Sequence, residues 1–324
     1  MQEQHLIEIQ NLSVRYPDAQ AAVLRNVDLT LDAGKITCVI GESGSGKSTL
    51  LNAVLQLPGR VEITEGRVLF RGNDLRQRTA RQMRSIRGSE IGVVFQEPGT
   101  ALDPIRKIHK QFYDALHAHD RSITKHDSRQ KAAALLQSME FKEPERILEC
   151  CPAQLSGGMN QRVAIAVAMA LEPAILLADE PTSSLDVTVQ AQVIEELLRL
   201  RDQYGTCILL ITHNMGIAAR LADQVAVMYG GRIVECGPRD DVLHRPAHPY
   251  TRALLAAVPR LDGKLPQAIP GRKPERFPEQ GCTFASRCPY AQESCDKEIL
   301  RPHCVSGQHW TLCGKEASLH ADYS

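Results

Sequence analysis

Hydrophobic and polar residues alternate along two short segments near the start of the chain. Leu6 to Leu12 and Val27 to Leu31 carry this alternation, which is typical of strands with one buried face. The run from Ile36 to Ile40 is apolar and ends at a glycine, so it predicts a buried strand. A helix is expected from Lys47 through Leu55, directly after a glycine-rich turn. The pattern predicts an antiparallel edge followed by an α/β core.

The middle of the chain changes to a helical pattern. The sequence from about Ser85 to Leu155 is polar and helical, with an amphipathic helix predicted over Gln130 to Met139. We therefore expect an inserted helical subdomain at about residues 97–170. A strand, a helix and a buried strand then follow in alternation, as in a parallel sheet, at Ile175 to Leu177, Val189 to Leu200 and Cys207 to Ile211.

The length of the chain indicates a second domain, and its composition argues against some cellular locations of the protein. A chain of 324 residues is long enough for two domains, and frequent prolines from Arg239 onward place the boundary near residue 240. Lys+Arg and Asp+Glu are both 38, so no net charge attracts nucleic acid or anionic lipid. The longest apolar run, Val163 to Leu171, is shorter than the roughly 20 residues that span a bilayer. Because Met1 to Gln10 does not resemble a signal peptide, we expect a cytoplasmic protein.

The glycine-rich turn has the spacing of a phosphate-binding loop. Gly41-Glu42-Ser43-Gly44-Ser45-Gly46-Lys47-Ser48 fits G-x-x-x-x-G-K-[ST], between a predicted strand and a predicted helix. Glycines let successive backbone N–H groups face phosphate oxygens, and the helix N-terminus adds the positive end of its dipole. Lys47 is expected to pair with the outer phosphates, and the Ser48 hydroxyl is a candidate Mg²⁺ ligand.

A second candidate element is the apolar strand that ends in Asp179 and Glu180. In phosphate-loop enzymes such a strand places an aspartate where it holds Mg²⁺ through water, the role predicted for Asp179. A carboxylate beside the γ-phosphate can take the proton of the attacking water, which makes Glu180 the candidate general base.

Leu155-Ser156-Gly157-Gly158-Met159-Asn160-Gln161-Arg162 resembles the signature motif of the ABC transporter ATPases. Ser156 and the two glycines open an apolar helix, which would create a second anion-binding helix N-terminus. The resemblance implies that Ser156, Gly157, Gly158 and Gln161 meet the ATP of an opposing cassette in a head-to-tail dimer. It also implies a P-loop ABC fold, with a RecA-like parallel sheet core, an antiparallel β subdomain and a helical signature subdomain.

Other motifs follow in the order of this family. Tyr16 resembles the aromatic residue that stacks on adenine, and the ATP-binding set then comprises Tyr16, Gly41, Glu42, Ser43, Gly44, Ser45, Gly46, Lys47, Ser48 and Thr49. Gln96 resembles the Q-loop glutamine, a Mg²⁺ ligand together with Ser48 and Asp179. Ser184 and Asp186 resemble the D-loop, and His213 resembles the H-loop histidine that contacts the γ-phosphate. Glu180, His213, Gln96 and Lys47 are the residues that the resemblance assigns to catalysis.

Residues after 240 resemble the C-terminal extension of oligopeptide, dipeptide and nickel importer ATPases. The matching segments are His248 to Leu255 and Gly281 to Pro289. The resemblance implies peptide import at the cytoplasmic face of the inner membrane, with nickel or metal-chelate import as the alternative. It also implies two transmembrane permeases, a second ATPase subunit, either a paralogue or an identical chain, and indirectly a substrate-binding protein. No nucleic-acid partner is expected. Asp103, Ala101 and Asn160 depart from the usual residues of this branch, at positions that do not carry hydrolysis.

Half of the ten cysteines lie in this short extension. Cys282, Cys288, Cys295 and Cys313 match those of family members that resemble [4Fe-4S] proteins, and four thiolates are what a cubane requires. Zinc also accepts four thiolates, although paired C-x₂-C knuckles are missing. A [4Fe-4S] cluster, a zinc ion and free thiols therefore stay open, with Cys304, His303 and His309 as alternative ligands.

Two other classes of protein are weighed against this interpretation. ABC ATPases that act on ribosomes usually carry two cassettes, and those that repair DNA have a long coiled-coil insertion. The spacing from Ser48 to Ser156 and the residues that remain leave no room for either. A P-loop kinase or GTPase would leave the signature and His213 unexplained.

Overall fold

The computed structural model describes residues 5–97, 99, 101–259, 265–297 and 300–314. The strands in these ranges are β1 (Ile7–Arg15), β2 (Leu24–Leu31), β3 (Ile36–Ile40), β4 (Glu62–Phe70), β5 (Asn73–Asp74), β6 (Ile91–Val94), β7 (Ile175–Asp179), β8 (Cys207–Thr212), β9 (Gln224–Tyr229), β10 (Arg232–Pro238), β11 (His303–Ser306) and β12 (His309–Thr311). The helices are α1 (Lys47–Leu55), α2 (Ala80–Ser89), α3 (Ile108–His119), α4 (Lys125–Ser138), α5 (Pro144–Glu149), α6 (Gly157–Met169), α7 (Val187–Tyr204), α8 (Met215–Leu221), α9 (Arg239–His244), α10 (Pro249–Ala256) and α11 (Ser294–Lys297).

The chain divides into two compact units that are discontinuous in sequence. The first contains the residues up to Leu6, Leu31–Ile36 and Arg71–Leu210, and the second contains Ile7–Thr30, Thr37–Phe70 and the residues from Ile211 onward. These two units are defined by contacts within the fold, whereas the predicted domain boundary near residue 240 was placed from the sequence. That boundary stays a prediction.

The first unit carries parallel strands and most of the helices. β6 pairs in parallel with β7, with Val94 opposite Ala178. The prediction of helix throughout residues 85–155 was wrong at β6. This strand contains β-branched Ile91, Val93 and Val94, which suit a sheet, and Gly92 lies against a carbonyl: a Cβ on Gly92 would be 2.8 Å from the Ala168 oxygen.

The inserted segment between β6 and β7 is helical, as predicted, and comprises α3 to α6. The predicted amphipathic helix is α4, which buries Ala132, Leu135 and Leu136. It begins earlier than Gln130 because the Thr124 side chain caps it by accepting a hydrogen bond from the Asp127 N–H.

The second unit contains both antiparallel and parallel strand pairs. β1 pairs antiparallel with β4 and lies between β2 and β4, which confirms the expected antiparallel edge. β3 pairs in parallel with β9, and its five residues are all buried. β9 continues antiparallel to β10, β10 to β12, and β12 to β11.

The cysteine-bearing end of the chain is part of the second unit's sheet through β12. A buried carboxylate strengthens this connection: Glu235 on β10 accepts hydrogen bonds from the backbone N–H groups of Ala247 and His248 at 2.7 and 2.9 Å. A ring nitrogen of His309 on β12 lies 2.8 Å from the same carboxylate. Three hydrogen bonds supply the partners that a buried carboxylate needs. Among the described residues, no helix is both long enough and apolar enough to cross a lipid bilayer.

Candidate active site

The glycine-rich turn joins β3 to α1 in the second unit. α1 begins at Lys47 and ends at Leu55, as predicted. Gly46 precedes it with φ 110°, a conformation that L side chains rarely adopt. Gly41 has no room for a side chain, because a Cβ there would collide with the Met228 carbonyl oxygen. The loop backbone therefore depends on glycine at both positions.

Two polar side chains inside this loop fit a phosphate group. The Lys47 ammonium is buried and donates to the carbonyl oxygens of Gly41 and Glu42 at 2.8 and 3.1 Å. The Ser45 hydroxyl is also buried and finds no hydrogen-bond partner among the described residues. A buried polar atom without a partner is costly, and a phosphate oxygen would satisfy it. Ser48, the candidate Mg²⁺ ligand, is exposed.

Tyr16 and His213 lie in the same unit as the loop. The Tyr16 ring is 44% exposed, and its hydroxyl is 3.0 Å from the Thr49 hydroxyl on α1. This contact ties the ring to the helix and leaves part of the ring surface open for stacking. His213 is exposed directly after β8, where Asn214 caps α8 by accepting from the N–H groups of Gly216 and Ile217.

Gln96, Asp179 and Glu180 lie in the first unit, after the carboxyl ends of neighbouring strands. Because β6 and β7 are parallel and in register, these ends meet at one edge of the sheet. Asp179 is the last residue of β7. Glu180 follows it with φ 45°, a left-handed conformation that costs a non-glycine residue free energy and is concentrated at functional sites. No sequence pattern indicated this strain.

The signature segment forms the N-terminus of α6, with Ser156 as its cap. The Ser156 hydroxyl accepts a hydrogen bond from the Met159 N–H at 3.3 Å, and both Ser156 and Gly157 are exposed. Gly158 packs against α7, since a Cβ would lie 2.5 Å from a Val189 methyl group. Gln161 differs from the others because it is 1% exposed, so its amide lies away from the open turn.

The two D-loop residues lie before α7 on the surface of the first unit. Ser184 and Asp186 are both exposed. The Asp186 carboxylate accepts a hydrogen bond from the Val189 N–H at 3.0 Å and thereby caps α7. Asp186 thus has a local structural role, and its role across a dimer stays a prediction.

Four of the five cysteines of the extension, Cys282, Cys288, Cys295 and Cys313, are half-buried, and Cys304 is exposed. Burial, together with the charges of Cys313, Cys288 and Cys295, raises the pKa of the Cys282 thiol to about 11. Cys282 therefore has all three other thiols as electrostatic neighbours. Within the described residues, however, no group of three or more His, Cys, Asp or Glu side chains has the arrangement of a metal site.

Two regions of the chain match models of known protein families. Residues 24–183 match the family model "ABC transporter", and residues 234–295 match "Oligopeptide/dipeptide transporter, C-terminal region". A dipeptide transport ATP-binding protein of Bacillus subtilis is 40% identical over 315 residues, which cover 95% of this chain and 94% of the relative. The chain belongs to the ABC transporter ATP-binding proteins. Like other members of this family, it is an ATPase that uses ATP with Mg²⁺.

Further members show the same similarity. An oligopeptide transport ATP-binding protein of Bacillus subtilis is 40% identical over 327 residues, covering 98% of this chain and 90% of the relative. Among solved ABC structures, dimeric MJ0796, a bacterial ABC transporter cassette, matches with a TM-score of 0.64 and 30% identity, over 72% of this chain and 98% of that one. These matches confirm the α/β fold of an ABC ATPase.

Proposed function

We propose that this ABC ATP-binding protein hydrolyses ATP to drive the import of dipeptides or oligopeptides. The observation that carries this proposal is the order of two matched regions in one chain, the cassette and the peptide-transporter extension. The relatives named for dipeptide and oligopeptide transport align with both regions, over 95% and 98% of this chain. Nickel or metal-chelate import is the alternative substrate class, which a transport assay distinguishes.

In the proposed mechanism, the loop from Gly41 to Thr49 holds the phosphates of ATP. The amides at the start of α1, the Lys47 ammonium and the buried Ser45 hydroxyl are the groups that would contact phosphate oxygens. Tyr16 would stack on adenine. Mg²⁺ bound by Ser48, Gln96 and Asp179 would neutralise phosphate charge.

Hydrolysis requires a base beside the γ-phosphate, and we assign this role to Glu180. The residue directly follows the buried strand β7 in a strained backbone conformation, a feature that is concentrated at functional sites. A carboxylate so placed takes the proton of the attacking water. His213 would contact the γ-phosphate and stabilise the charge that develops on it.

We further propose that two cassettes act together. Exposed Ser156 and Gly157 at the N-terminus of α6 offer backbone N–H groups to an anion, and the ATP of an opposing cassette would supply it. A dimer is the state of the MJ0796 cassette, which has a similar fold. The opposing cassette would be a paralogue or an identical chain, bound with two transmembrane permeases at the cytoplasmic face of the membrane and served by a substrate-binding protein.

Replacement of Glu180 by Gln tests the chemistry. Glu180→Gln removes the base while keeping the size of the side chain, so ATP binding should persist and steady-state hydrolysis should fall by about 100-fold or more. The matched control is Glu195→Gln on α7. Phosphate release and nucleotide binding would be measured on the assembled transporter. Unchanged hydrolysis by Glu180→Gln would refute the assignment.

We also propose that Cys282, Cys288, Cys295 and Cys313 bind a [4Fe-4S] cluster rather than zinc. The support is their number and the electrostatic proximity of three of them to Cys282. A thiol with a raised pKa must lose its proton to bind metal, so assembly should be more complete at higher pH. Anaerobic purification followed by iron, sulfide and zinc analysis is the test. Cys282→Ser should lose the iron and exposed Cys304→Ser should keep it, whereas iron-free wild type would contradict the proposal.

A further inference from the structure

Side chains from the C-terminal extension contact the phosphate loop directly. The Glu42 backbone N–H donates a hydrogen bond to the Tyr250 hydroxyl at 2.9 Å. Lys273 donates to the Ser43 carbonyl oxygen at 2.5 Å. Arg287 donates to both carboxylate oxygens of Glu42, at 2.8 and 3.3 Å. We name Tyr250, Lys273 and Arg287 the loop brace, because all three hold consecutive residues of one loop.

Arg287 is itself fixed on several sides. Its Nε donates to the Pro270 carbonyl oxygen at 2.8 Å, and one terminal nitrogen donates to the Tyr229 hydroxyl at 3.1 Å. Its side chain is 4% exposed, and that of Glu42 is 26% exposed. The ion pair is therefore largely shielded from water, unlike the surface pairs that contribute little. Arg287 therefore cannot move without moving Glu42 or breaking the bidentate, charged hydrogen bonds between these two side chains.

Aromatic rings pack against the arginine of this ion pair, since its guanidinium lies over the rings of Tyr229 and Phe284. The ring of Tyr229, at the end of β9, lies 4.4 Å from that of Tyr250 and 5.3 Å from that of Phe284, measured between centroids. The rings of Tyr250 and Phe284 are also 5.3 Å apart. Tyr229, Tyr250 and Phe284 are fully buried. Packed aromatic rings have few alternative arrangements, so the brace rests on a rigid support.

We propose that Arg287 is a positioning residue for ATP binding, which acts on the nucleotide through Glu42. A glycine-rich loop has many backbone conformations, and holding it in the binding conformation before ATP arrives reduces the entropy cost of binding. The C-terminal extension thereby sets the ATP affinity of the cassette. This inference rests on the proposed function of the loop, and it adds a role for the extension that is independent of its cysteines.

The test is nucleotide binding by variants of Arg287 in the full-length chain. Arg287→Met should raise the Kd for a fluorescent ATP analogue with Mg²⁺ by about tenfold, a typical coupling between separate sites. Arg287→Lys should retain part of the affinity, and the exposed Arg276→Met serves as the control without effect. When steady-state hydrolysis by the assembled transporter is measured over a range of MgATP concentrations, KM should change more than kcat. A merely structural role would lower the melting temperature without changing the Kd of the folded protein.

A double-mutant comparison isolates the contact with Glu42. In a Glu42→Gln background, Arg287→Met should have little further effect on Kd, because the charged contact is already lost. If Arg287→Met does not fold, Tyr250→Phe tests the same idea by removing one hydroxyl, with a Kd rise of about two- to tenfold expected from one hydrogen bond. Unchanged Kd in the folded variants, or independent effects of the two substitutions, would overturn the inference while ATP binding by wild type upholds the proposed function. Wild type that does not bind ATP would refute both.

Discussion

A buried ion pair joins α6, the helix that begins with the signature segment, to α7. Its removal should lower the free energy of unfolding by a measurable amount. Arg162 on α6 donates from Nε to the Glu196 carboxylate on α7 at 2.5 Å, and its side chain is 13% exposed against 2% for Glu196. Another nitrogen of Arg162 donates to the Met139 carbonyl oxygen, and the guanidinium lies 4.2 Å from the centre of the Phe141 ring. Arg162→Met removes these contacts and leaves a buried carboxylate without its cation. We expect a loss of about 3 to 5 kcal/mol in the free energy of unfolding.

The loss should depend on pH because Glu196 can take up a proton. Burial raises the pKa of Glu196 to about 7, although Arg162 acts in the opposite direction. Without Arg162 the folded-state pKa rises further above the unfolded value, so the folded chain binds a proton that the unfolded chain releases. Stability of Arg162→Met should then fall as pH rises through 7 and 8, by up to about 1.4 kcal/mol per pH unit. At pH 6 the neutral carboxyl needs no cation, and the loss should be smaller.

Urea unfolding followed by circular dichroism at pH 6 and pH 8 measures both effects. The matched control is Arg199→Met, which breaks an exposed pair with Glu140 and should cost less than about 1 kcal/mol. The double variant Arg162→Met with Glu196→Gln should recover much of the stability, because no charge remains buried. A loss below about 1 kcal/mol for Arg162→Met at pH 8 would refute the reasoning.

Three further substitutions test particular residues. Tyr16→Ala should weaken ATP binding by about 1 to 3 kcal/mol, as expected for loss of a stacked ring, and Tyr16→Phe should retain most of it in the same titration; equal loss in both would contradict stacking. Gly46→Ala should abolish nucleotide binding, because a Cβ would lie 2.6 Å from a Leu24 methyl group at φ 110°; normal affinity would show that the loop adapts. Burial lowers the pKa of His248 to about 4, so between about pH 6.5 and pH 4 the unfolded chain binds more protons than the folded chain does. Acidification through this range should therefore lower the free energy of unfolding by about 3 kcal/mol. His248→Asn, which keeps a helix-capping acceptor, should reduce that dependence in urea titrations, and exposed His244→Asn should not.

Local sequence patterns were sufficient for several elements of the fold. The helix from Lys47 to Leu55 was predicted correctly because a glycine-rich turn marks its start and apolar residues fill it. The buried strand from Ile36 to Ile40 was also correct, since its apolar run is uninterrupted. Short elements were harder: β6 has four residues and lies beside polar, helical sequence, so its few β-branched residues show as a strand only through pairing with β7.

Long-range contacts explain what the sequence did not indicate about the site. Arg287 and Glu42 are 245 positions apart, and neither position has a local pattern that points to the other. The positive φ of Glu180 likewise has no local pattern in the sequence that announces it. The motifs predicted the chemical groups of the site, whereas the contacts that hold those groups depend on the fold.

The central claim is that ATP hydrolysis by this chain drives peptide import. The most direct measurement is uptake of a labelled dipeptide into proteoliposomes that contain the chain, its opposing cassette and the two permeases, with the substrate-binding protein supplied. Peptide should accumulate with ATP and not with ADP, and Glu180→Gln should abolish the accumulation. Uptake of labelled nickel without any peptide uptake, or peptide uptake unaffected by Glu180→Gln, would contradict the account.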